Sequence, residues 1–151
     1  MLVCELCGRK FKSKRGLEFH INKVHMIHKG YRDLCEKTVH QFFPLLEERK
    51  WAAAERFVKY IEKMELDEKW LKGYTNALTG MIIALRDEAS SAQPYILEVR
   101  NHDRSKLQET KKFFNRALQK ELGISFDMGY FQAWLDYVGH LLQKQNVRDN
   151  H

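Results

Sequence analysis

Cys4, Cys7, His20 and His25 are the side chains of this sequence whose types and spacing point to shared chemistry. They are arranged as C-x2-C-x12-H-x4-H, and two thiolates with two imidazoles at that spacing suit a tetrahedral zinc site. Two cysteines three positions apart can turn both sulfurs onto one ion across a tight turn, and Gly8 lets the chain reverse just after them. Two histidines five apart lie a little over one helical turn apart, so the helix must end or tighten near His25 for both rings to meet one ion. Four protein ligands close the site, which predicts one structural Zn2+ and not a catalytic one. His28 has seven residues between it and His20 and is a poorer fourth ligand.

The agreement extends past the ligands. Phe11 and Leu17 stand at the two apolar positions that flank the ligands in the C2H2 zinc-finger family, and residues 1–28 resemble that family; Leu2 departs from its usual aromatic. The resemblance implies a ββα finger that is largely unfolded without its metal. It also implies that the base-facing positions of the finger helix fall on Ser13, Gly16 and Phe19. None of these can read a base edge by paired hydrogen bonds, and one finger spans only about three base pairs. Sequence-specific reading of DNA is therefore not expected.

Charge favours a looser contact. Residues 1–29 carry seven Lys and Arg against two Glu, or +5, while the other 122 residues carry 19 basic and 18 acidic groups, or +1. Arg9, Lys10, Lys12, Lys14 and Arg15 cluster around the hairpin tip and helix start, with Lys23 further on. Backbone N–H groups at a helix start also favour phosphate. Phe19 can stack on an unpaired base or dock the finger onto protein. The bland reading of the same charges is a solvated face.

The elements that must carry this module are helical. Of 151 residues, 44% are hydrophobic and 12% aromatic, enough to bury a core without metal or disulfides. The expected fold is mostly α: a ββα finger over 1–28, a five- or six-helix bundle over 30–146 and a polar tail over 147–151. The bundle resembles no family of known function. Gly30 reads as a helix stop, and Pro44 as the opening of a further turn. Trp51, Ala54, Phe57, Val58 and Ile61 recur at three-and-four spacing. Asp67 caps the next helix, in which Gly73, Ala77, Gly80 and Ala84 would admit a close neighbour at the centre of the bundle. The segment "YILEV" at 95–99 is β-prone but short. Asp103 and Asp127 are the expected caps of the last two helices, and Gly123 the stop between them. Phe131, Trp134, Leu135, Val138, Leu141 and Leu142 form the expected buried face of the last.

No phosphate loop, nucleophile elbow or H-E-x-x-H is present, so an enzyme is not expected. Asp136 with His140, and His102 with Asp103, read as ordinary surface pairs, His40 as a core or boundary residue, and Cys35 as a small buried one. The longest apolar run, "MIIAL", is far shorter than a membrane span and no secretory signal is visible, giving an expectation of a soluble intracellular protein. The leading reading is a non-enzymatic zinc protein whose finger binds nucleic acid, RNA before DNA. Its helical domain would serve partner contacts or dimerisation, with no membrane and no small-molecule substrate. The alternative is a protein-protein adaptor in which the zinc is purely structural.

Overall fold

The computed structural model describes residues 1–5, 7–20, 26–87, 95–120 and 124–149. Contacts divide the chain into two compact units, Met1–Glu36 and Lys37–His151. The first contains strands β1 (Leu2–Val3) and β2 (Lys10–Phe11), then helices α1 (Lys14–His20) and α2 (Met26–Lys37), whose last residue falls in the second unit. The strands pair antiparallel with Leu2 opposite Phe11 and Val3 opposite Lys10. Between them the Gly8 N–H donates to the Cys4 carbonyl at 2.7 Å and the Cys4 N–H to the Arg9 carbonyl at 2.8 Å. Gly8 has φ +78°, which a side chain would disfavour, as its place in the sequence predicted. Ser13 caps α1, its Oγ accepting from the Gly16 N–H at 3.1 Å.

Gly30 does not end a helix, because α2 runs through it. A single glycine costs a helix only about 1 kcal/mol. Cys35 is half-buried and not fully enclosed, and His40 is exposed and not in the core.

In the second unit a π-helical turn, Thr38–Phe42, leads into α3 (Phe43–Glu47). The Phe43 N–H donates five residues back, to the Thr38 carbonyl. Pro44 explains the turn: it has no N–H to give and its ring crowds the carbonyl four residues before it, and a widened turn relieves that crowding. Phe42 and Phe43 are both buried, with ring centroids 5.7 Å apart. Helix α3 ends in a Schellman motif. The Lys50 N–H donates to the Leu45 carbonyl at 2.9 Å, and Arg49 sits at φ 59°, where glycine is usual.

Helix α4 (Trp51–Glu62) buries Ala54, Phe57, Val58 and Ile61, as their spacing predicts. Helix α5 (Glu68–Arg86) is capped by Asp67, whose Oδ1 accepts from the Trp70 N–H at 3.1 Å. It is the central helix, packing most extensively on α8 (Phe126–Asp149) and also on α4 and α6 (Tyr95–Arg100). The close approach is made by two glycines. A Cβ on Gly73 would lie 1.9 Å from the Phe126 carbonyl oxygen, and one on Gly129 would lie 2.0 Å from that of Trp70. Only the first turns of the small-residue stripe take part, since Gly80 is exposed with nothing within 4 Å of an added Cβ.

The segment 95–99 is helix and not strand. Ile96 and Val99, three apart, are both buried, a spacing that a helix places on one face. Helix α7 (Arg104–Lys120) starts where the Asp103 Oδ1 accepts from the Lys106 N–H at 2.9 Å. Gly123 lies outside the described residues. The cap of α8 is Ser125, whose Oγ accepts from the Met128 N–H at 3.1 Å, so Asp127 is a first-turn residue and not the cap. The buried face of α8 is Ala133, Trp134, Tyr137, Val138 and Leu141, whereas Phe131, Leu135 and Leu142 are half-buried. No described helix is long and apolar enough to cross a membrane.

Candidate metal centre

The turn after β1 carries Cys4 and Cys7, and the last position of α1 carries His20. One ligand atom from each of the three lies within 4.8 Å of the others. Cys7 Sγ and His20 Nε2 are 3.3 Å apart. Ligands at normal zinc bond lengths and tetrahedral angles stand about 3.5 Å apart, so this spacing fits one small cation. Cys4 and His20 are buried and Cys7 is exposed. The His20 ring lies against Phe11 with centroids 4.6 Å apart, which fixes its plane from the strand side. These three residues are therefore placed to hold a metal ion. His25 and Lys23 lie outside the described residues.

Arg9, Lys10, Lys12, Lys14 and Arg15 are all exposed. Phe19 is 64% exposed on α1. The segment thus presents basic groups and one aromatic ring to solvent.

Neither of the two acid–histidine pairs makes a dyad. Asp103 caps α7, and the His102 Nδ1 is buried with no hydrogen-bond partner among the described residues. Asp136 accepts from Tyr74 Oη at 2.7 Å and from Gln132 Nε2 at 2.9 Å. His140 instead meets Glu47, its Nε2 lying 2.8 Å from Oε1, and Lys144 Nζ reaches the same oxygen at 2.9 Å. Sequence reasoning missed this cluster because Glu47 is 93 residues from His140 and nothing local marks it.

Glu47 and Lys144 line a cavity of about 360 Å³, with Arg49, Trp51, Arg100 and Tyr137 among the walls. Burial pushes the Glu47 carboxyl up, but the hydrogen bonds and charges of Lys144 and His140 together outweigh it and hold the group below its ordinary value. Burial raises the Tyr137 hydroxyl to about 12, with the Arg100 charge opposing the rise and the Glu47 charge adding to it. A carboxyl lowered by folding stabilises the fold above its unfolded pKa of about 4.3 and loses that contribution as pH falls through the folded value. Glu47→Gln is therefore expected to lower stability at pH 7, with the gap to the wild type closing below about pH 4 in urea unfolding. A gap that is constant from pH 7 to pH 3 would remove the charge from this account.

Compared with known proteins, the chain matches no family profile, no curated protein and no solved structure.

Proposed function

We propose that the N-terminal segment is a C2H2-type zinc module, with Cys4, Cys7, His20 and His25 holding one structural Zn2+, and that its basic face binds nucleic acid without reading sequence, RNA before DNA. The observation that carries the proposal is the convergence of the Cys4, Cys7 and His20 ligand atoms within 4.8 Å, inside a segment with five exposed basic side chains. Two sulfurs and imidazole nitrogen suit zinc among the common divalent ions. Bound there, the ion would cross-link the turn to α1 and supply no reaction. Arg9, Lys10, Lys12, Lys14 and Arg15 then stand as phosphate contacts, and Phe19 as a stacking surface. The positions that a finger turns toward bases are Ser13, Gly16 and Phe19, which supports sequence-tolerant binding.

The test is fluorescence anisotropy with labelled single-stranded RNA, structured RNA and duplex DNA, using the zinc-loaded protein and its K12E/K14E/R15E variant. Raising salt from 50 to 200 mM is expected to weaken binding to single strands about 50-fold if about four phosphates are contacted, and the variant is expected to lose it. Absence of binding to every probe at low salt would overturn the reading. The exposure of Phe19 favours one second reading, a protein contact. It predicts an interaction that Phe19→Ala abolishes and that added salt leaves unchanged.

A further inference from the structure

The even charge balance of the chain beyond residue 29 conceals a local excess. Helix α7 carries six basic side chains and one acidic, or +5. Residues 37–151 as a whole have 18 basic and 16 acidic groups, or +2, so everything in that unit outside α7 sums to −3. The basic helix lies on an otherwise acidic unit.

Its charges are ordered as well as numerous. Arg104, Gln108, Lys111, Lys112 and Asn115 recur at intervals of four, three, one and three, which places them along one side of the helix, beside the stripe that buries Leu107 and Phe114. The same five residues form one wall of an open groove, and Leu142 and Asn146 of α8 complete it. No carboxylate lines the groove. Lys111 and Lys112 are exposed and have no ion-pair partner among the described residues, in contrast to Lys72 on α5, which meets Glu68 at 3.4 Å. A merely solvated helix face intersperses both signs of charge and pairs them at one-turn spacing. No acidic side chain stands among the five residues of this face, and Lys111 and Lys112 are not paired within the described residues.

We infer that the α7–α8 groove is a second binding surface for the sugar-phosphate backbone of a nucleic-acid strand, with Arg104, Lys111 and Lys112 on phosphates and Gln108, Asn115 and Asn146 on sugar or base groups. The inference extends the nucleic-acid reading of the finger to the helical unit. From Arg104 to Asn115 the helix rises about 17 Å, the length of about three to five nucleotides. Amide side chains both donate and accept, which suits hydroxyls and base edges. An acidic protein is the poorer occupant, because Leu142 is the one apolar side chain in the lining and protein interfaces are built around a buried apolar centre.

The experiment measures binding of a labelled 20-nucleotide oligouridine to the full zinc-loaded chain over a range of salt. Four proteins are compared: wild type, K111E/K112E, the finger variant K12E/K14E/R15E, and K59E/K69E. The last makes the same change in net charge at two exposed lysines outside the groove. K111E/K112E is expected to bind about tenfold more weakly or worse, with a salt slope shallower by about 1 to 2, while K59E/K69E stays within about twofold of wild type. If K111E/K112E behaves like K59E/K69E while the finger variant loses binding, the groove is overturned and the finger reading stands. If K111E/K112E weakens binding and the finger variant does not, the groove stands and the finger reading fails. Polyglutamate bound as tightly as oligouridine, with the same dependence on Lys111 and Lys112, would overturn nucleic acid in favour of an acidic peptide. No binding by the wild type at low salt overturns both surfaces.

Discussion

Removing the metal is expected to unfold residues 1–20 and to leave the α-helical unit folded. Among the described residues of that segment, the buried side chains are Cys4 and His20, which are themselves among the residues placed to hold a metal ion. Phe11 and Leu17 are half-buried, and each strand is two residues long. So small an apolar core cannot offset the entropy of ordering the chain, and on the proposed reading the missing free energy comes from metal binding, on the order of 10 kcal/mol or more for a structural zinc site. The second unit has its own core of Phe42, Phe43, Tyr74, Leu78, Met81 and Val138, none of which is a ligand. Two-dimensional amide NMR during chelator titration checks this. Signals of residues 1–20 should collapse to the narrow range of unfolded chain and return with one equivalent of Zn2+, while those of α4, α5 and α8 keep their dispersion. Cys7→Ala and, on the proposed ligand set, His25→Ala should reproduce the collapse at low zinc. A dispersed spectrum for residues 1–20 in metal-free protein would refute the metal-held segment.

The second large effect is expected at the α5–α8 crossing. Gly73→Ala and Gly129→Ala would each drive a methyl group to about 2 Å from a backbone oxygen of the opposing helix. Neither oxygen belongs to a side chain that can rotate away, so the helices must separate along the largest contact in the unit. Overpacking of this kind costs about 3 kcal/mol or more. Gly80 and Gly139 serve as internal controls because a methyl group there meets nothing within 4 Å. Alanine at those two helical positions should be stabilising by about 0.5 to 1 kcal/mol. Urea unfolding of the four single variants gives the comparison, and equal effects at all four would show that backbone contact does not govern this seam.

The parts of this fold that could be read from sequence are those fixed over short spans. Cys4, Cys7 and His20, which are placed to hold a metal ion, lie within one 17-residue stretch, and their spacing already implied the turn and helix that bring them together. Asp67 and Asp103 announced the helices they cap, and Ala54, Phe57, Val58 and Ile61 showed the buried face of α4. What escaped depends on distant partners. Gly73 looked like one of four small residues on α5, and its role is decided by Gly129, which looks no different in sequence from the unpacked Gly139 of the same helix. The contact of Glu47 with His140 joins residues from opposite ends of the unit. Thr38–Phe42 widens because of Pro44, yet a proline near a helix start ordinarily needs no such turn. The basic character of α7 was hidden by averaging charge over 122 residues, a window that mixes it with an acidic remainder. "YILEV" follows its burial pattern over its β propensity, as short segments do when packing decides.

The position of α5 also sets an order of events during synthesis. Its main partner is α8, so when Arg86 is added to the growing chain, 63 further residues must follow before Asp149 completes the surface that covers it. At ordinary elongation rates that interval is about 3 to 13 s. Through it Tyr74, Leu78 and Met81 have α4 beside them and no α8, and the backbone groove at Gly73 stands open. The central helix of the finished protein therefore waits through this interval for its main partner, and the cell must keep its apolar face from other chains in the meantime.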